Sequence, residues 1–205
     1  MADIPRASVV RNSLVSFMPG VSPQMRESVQ LALLFAQRAT DQDAASGLVT
    51  DTYGYYRNKL KFLGWDAQPA LEHDQRGVDR RTLVEHALAS INAAGGHYCE
   101  SVRWALGLLE NSSLARVHFE ECSVNSRTFH LIPCQSTRPG YVDLVLYHHA
   151  LERDQLRSGF LYAEWKSIRA GAELVHFNVK LFDSQFKAKV LKSLVSVVAR
   201  DIVEL

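Results

Sequence analysis

The sequence predicts an α+β fold: about four helices, then a five-stranded antiparallel β-meander, then a C-terminal amphipathic helix packed on one sheet face. Three observations carry this. Apolar residues recur every three or four positions up to Asn111, alternate one-in, one-out from Leu114 to Leu181, and return to the helical period from Asp183. The links between the alternating segments are too short for parallel crossovers. With 205 residues, 47% of them hydrophobic and 22% charged, the chain can bury one core and is short for two. Residues 1–21 read as an N-terminal extension. Residues 22–205 read as a single domain, with helices over 22–112 and the sheet plus last helix over 114–205.

Ser22-Pro23 opens the first helix as N-cap and N1. Met25, Val29, Ala32, Leu33 and Ala36 fall on one face, with Arg26, Glu27, Gln30 and Gln37 opposite. A second helix is predicted over Leu48 to Leu63, closed by Gly64 in the left-handed position. The run Tyr53, Tyr55, Tyr56, Phe62 and Trp65 has helical spacing and reads as core. Asp79 caps a third helix carrying Leu83, Ala87 and Ile91, which Gly95-Gly96 stops, and a fourth covers about His97 to Glu110.

The strands follow. Ala115, Val117 and Phe119 alternate with Arg116, His118 and Glu120, and Phe129 and Leu131 alternate with His130 and Ile132. Pro133 places the end of that strand, or a sheet edge, beside it. After the turn Arg138-Pro139-Gly140 come Val142, Leu144 and Leu146, with Asp143 opposite; then Leu161, Ala163 and Trp165, with Tyr162, Glu164 and Lys166 opposite. Ala170-Gly171 turns the chain into Val175, Phe177 and Val179, opposite His176. The result is a sheet with one apolar face and one titratable face. Asp183 caps the last helix, whose Phe186, Val190, Leu194 and Val198 stripe is flanked by lysines, a pattern that suits core packing, a partner or an anionic membrane surface.

Composition narrows function. Net charge is +1, divided 11 Lys/Arg against 12 Asp/Glu before Leu114 and 12 against 10 after it, so no domain-wide field attracts nucleic acid. No signal-peptide core or membrane-spanning run is present, which predicts cytoplasmic synthesis, with signal-less export left open. Cys99, Cys122 and Cys134 form no CxxC pair; they read as reduced thiols, with a Cys122–Cys134 bridge between adjacent strands as the alternative.

Two functions stay open. The first is a non-enzymatic binding or interaction protein, effector- or toxin-like, using His118, His130, Tyr162 and His176 on the outer sheet face toward a partner protein or membrane surface, with no cofactor and with homo-oligomers allowed. The three histidines could also form an open zinc site if strand order brought them together. The second rests on Asp143 followed by Glu164-Trp165-Lys166. Two carboxylates on one face can hold Mg²⁺, and a lysine two residues on shares that face. This pattern resembles the active-site signature of the PD-(D/E)xK nucleases. The resemblance implies Asp143 and Glu164 as metal ligands, Lys166 as the catalytic lysine, Mg²⁺ as cofactor and nucleic acid as substrate.

Overall fold

The computed structural model describes residues 5–67 and 71–205, with the side chains of 71–81 and 166–169 outside the description. The fold is α+β, as the periodicity predicts, with helices on both faces of one mixed sheet. The segment read as an extension supplies two strands, β1 (Arg6–Val10) and β2 (Ser13–Phe17), joined through Arg11 at φ +50°. Both strands are buried almost throughout, Ser8, Ser13 and Ser16 included, so buried and exposed residues do not alternate along them, as in strands covered on two faces.

Helix α1 (Pro23–Ala45) starts at Ser22, whose hydroxyl accepts from the Met25 amide. Its middle is buried nearly all round, including Gln30 and Gln37, which the helical wheel had placed on the solvent side. Helix α2 (Thr52–Phe62) is capped by Asp51, and Gly64 follows at φ +98° in its expected role. Strands β3 (Trp65–Ala67) and β4 (Leu71–Thr82) come next. Helix α3 (Leu83–Gly95) begins later than Asp79 suggested, because Thr82 and Glu85 form a reciprocal capping box. A 3₁₀ turn leads into α4 (Cys99–Asn111).

The first predicted strand is a helix, α5 (Ser113–Ser126), capped by Ser112. Ala115 and Phe119 belong to one face at either period, since four residues is two strand repeats or about one helical turn. Val117 decides between them: a strand would bury it, and it is 49% exposed. The remaining strands are β5 (Thr128–Arg138), β6 (Tyr141–Ala150) and β7 (Glu164–Asn178). Gly140 at φ +80° turns β5 into β6. Strand β7 runs straight through Ala170-Gly171, where a turn was expected, and absorbs two predicted strands. The C-terminal helix starts earlier, with Asn178 as its cap, and is divided into α6 (Val179–Gln185), α7 (Lys187–Leu194) and α8 (Val198–Asp201) before β8 (Ile202–Glu204).

Strand order is β3-β7-β6-β5-β2-β1-β8, with β4 pairing the first half of β7 on the edge that β3 shares. Among the described residues every pairing is antiparallel except β2 with β5. Thus Pro133 lies inside an interior strand, opposite Ser16, and marks no edge; a residue in a ladder points its N–H at one neighbour only, so one proline removes at most one bond. On one face, α1, α2, α6 and α7 bury Val15, Phe17, Ile132, Leu144, Val175 and Phe177. On the other, α3, α4 and α5 bury Leu14, Phe129, Leu131, Val145 and Tyr147. The open titratable face that alternation implied is therefore covered. Alternation reports two unlike faces and does not say that one is wet.

Candidate functional site

The register separates the D…ExK residues. Asp143 on β6 lies opposite His176 on β7, whereas Glu164 opens β7 opposite Thr82. Twelve residues of β7 part His176 from Glu164, about 40 Å of strand at roughly 3.3 Å per residue. Asp143 instead bonds His176, Oδ1 to Nδ1 at 2.5 Å, and accepts from the Thr137 hydroxyl. Glu164 is exposed, and the Lys166 side chain lies outside the described residues. Among the described residues no group of three or more His, Cys, Asp or Glu could hold a metal ion.

The other predicted positions also disperse. His118 is on α5, one turn before Cys122, so the three-histidine set never forms. Tyr162 sits in a 3₁₀ turn (Phe160–Tyr162), 41% exposed, its hydroxyl pushed up by partial burial and by the nearby Glu110 carboxylate. All three cysteines are free; Cys122 is on a helix, away from any strand pairing with Cys134.

His130 alone leads to a site. Between α1, α2 and the sheet lies a cavity of about 390 Å³, bordered by Gln37, Thr40 and Asp41 of α1, Thr52, Tyr53 and Tyr56 of α2, His130 of β5 and His148 of β6. Register builds its floor: His130 pairs with His148 on the face under α1 and α2, and Ser13 on β2 supports that floor by pairing with His130. Tyr53 stacks on His148 with ring centroids 3.7 Å apart, and Tyr56 on His130 at 4.9 Å. Tyr53 is held from behind by the fully buried Glu173 carboxylate, which accepts its hydroxyl and pairs with Arg57 Nε at 2.7 Å.

The hydrogen bonds allow one consistent placement of protons. Thr128 Oγ1 donates to the His149 carbonyl at 2.9 Å, so it accepts from His148 Nδ1 at 3.1 Å. The same Nδ1–H faces His130 Nε2 at 3.2 Å, which must then accept. His130 therefore carries its proton on Nδ1 and gives it to Ser13 Oγ at 3.1 Å, an oxygen that also accepts from Gln37 Nε2 at 2.7 Å. Nε2 of His148 is left with its lone pair.

Both rings are neutral. Burial lowers His130 to about 3. Burial first, and then the neighbouring His130 and His149, hold His148 well below the usual imidazole range. Burial raises the Tyr56 hydroxyl, and side-chain hydrogen-bond contacts from Gln37 and Ser13 oppose the shift. Those contacts fall outside hydrogen-bond geometry: Tyr56 Oη and Gln37 Oε1 are both buried without a geometric partner among the described residues. Leaving such a group unpaired costs roughly 1–3 kcal/mol. The Ser13–His130–His148 chain has the order of a hydrolytic relay, but Ser13 lies beneath Gln37, does not border the cavity and accepts twice. It fixes the rings and presents no nucleophile.

Sequence reasoning missed Ser13, Gln37, Tyr53, Tyr56 and His148. A signal existed in α1, whose buried stripe turns from Leu33 and Ala36 to Gln37 and Thr40. Polar residues continuing an apolar stripe require partners inside.

No protein-family model and no curated protein matches this sequence. Among solved structures, the Evf virulence factor is 14% identical with a TM-score of 0.36, covering 92% of this chain and 84% of its own. A delta-endotoxin is 12% identical with a TM-score of 0.45, covering 84% of this chain and 87% of its own.

Proposed function

We propose that this protein is a binding protein whose site is the cavity under α1 and α2, with a small polar molecule as its ligand. The observation that supports this best is the unspent polarity of Gln37 and Tyr56. Both border the cavity, and both keep a buried polar atom that the fold does not satisfy. Folded proteins pair nearly all such atoms, and of the five left unpaired among the described residues these two face one cavity. The volume lies in the range of small-molecule sites. Stacked tyrosine and histidine rings give rigid walls, so little ordering is required on binding.

The test is ligand-observed NMR with a mixed set of small polar fragments, repeated on Ala44→Leu. Ala44 borders the cavity, and leucine keeps helix propensity while narrowing the space. Fragments that bind the native chain and are lost with Ala44→Leu are the expected result. Binding that ignores the substitution, or no binding at all, contradicts the proposal.

A further inference from the structure

Most donors on the inner lining of this cavity are already committed, and that narrows the ligand. Thr40 Oγ1 gives its hydrogen to the Ala36 carbonyl, and Ser126 Oγ to the Cys122 carbonyl. Both N–H groups of Asn12 are used, on Ser126 Oγ and the Thr128 carbonyl. What these groups can still offer is lone pairs, joined by Gln37 Oε1 and by Nε2 of His148, while the Tyr56 hydroxyl keeps a hydrogen to give and Thr52 and Asn125 stand at the exposed rim. A lining with many acceptors and few free donors asks for a ligand that carries both and is richer in donors. Phosphates and carboxylates bring only acceptors, and neither lysine nor arginine is among the described residues bordering the cavity.

An ammonium ligand has donors, but needs a free carboxylate when enclosed. Asp41 at the cavity border is taken by Arg11 at 2.6 Å, and Glu173 beneath Tyr53 is taken by Arg57. Charge of either sign is therefore disfavoured. The cavity of about 390 Å³ would be filled by about a dozen waters at roughly 30 Å³ each, space for one sugar-sized ring. From this juxtaposition we infer that the site takes an uncharged polyhydroxy molecule of monosaccharide size, an inference that rests on the binding reading above.

The experiment records the imidazole ¹⁵N resonances of His130 and His148 while three probe sets are added: neutral aldohexoses with inositol, their anionic forms (glucuronate, glucose phosphate), and cationic glucosamine. The expected result is saturable shifts with a neutral member alone. Gln37→Leu weakens that binding about three- to tenfold, the loss of one neutral hydrogen bond, and Ala44→Leu, which removes no hydrogen bond, abolishes it. Shifts caused by the charged probes and not by the neutral ones overturn the ligand class and leave the binding site standing. Silence of both histidines toward every probe overturns class and site together.

Discussion

The two faces of the sheet are packed from the same strands and end differently. Under α3, α4 and α5, Phe119, Phe129 and Phe160 meet with centroids 5.4–6.4 Å apart, and Tyr147 lies 6.0 Å from Phe129. The buried histidines there bond within the face, His149 Nε2 to Gln155 and His86 Nδ1 to the Tyr147 hydroxyl, though His149 Nδ1 has no partner among the described residues. Under α1 and α2, the corresponding centre holds Ser13, His130 and His148 beside a cavity. One face has closed around aromatic carbon; the other stops short, and its unpaired Gln37 and Tyr56 atoms border open space. The closed face carries the aromatic packing, and the open one holds the proposed site.

The contrast can be broken first on the closed face. Phe160→Ala is expected to cost about 3–5 kcal/mol in denaturant unfolding, the range for truncating a fully buried aromatic. Imidazole spectra of His130 and His148 should stay native in the folded protein. Glu173→Gln attacks the support of the cavity wall. Removing one partner of a buried ion pair costs roughly 3–5 kcal/mol, and the 27% exposure of Arg57 places this case at the low end. The Tyr53 ring should lose its fixed stack on His148, visible as loss of the ring-current shift.

Acid sharpens the comparison. Burial holds His130 at about 3 and His149 at about 4, below an unfolded value near 6.5. Between those values the unfolded chain binds protons that the folded chain refuses. Stability is thus complete above about pH 6.5 and falls as pH drops toward the folded values, by about 1.4 kcal/mol per pH unit for each histidine. His130→Asn should remove one histidine's share of that slope, measured by urea unfolding between pH 6.5 and 4.5.

Periodicity made the helices, β5 and β6 legible, because their buried residues differ from their exposed ones. It failed where that difference vanishes: β1 and β2 are buried on both sides, and Ala115 and Phe119 share a face at either period. The site was less legible. His130 could be named, but its partners Ser13, Gln37, Tyr53 and His148 come from elements whose pairing is a fact of topology. Tyr53 and Tyr56 have core spacing whether or not a cavity lies beside them. The Asp143 and Glu164 pair failed for the same reason, since the length of β7 fixes their separation and sequence spacing hid a strand that never turns.

The smallest expected effect on stability is the most direct test that the polar atoms at the cavity are unspent by the fold. Tyr56→Phe removes the partnerless hydroxyl and keeps the ring that stacks on His130. Its unfolding free energy, measured beside the native chain, should be unchanged or higher by up to about 1 kcal/mol, because a desolvated and unpaired group is lost. A loss of more than about 1 kcal/mol would show that the hydroxyl is bonded within the folded chain, and the cavity would then be a packing defect with no partner to await.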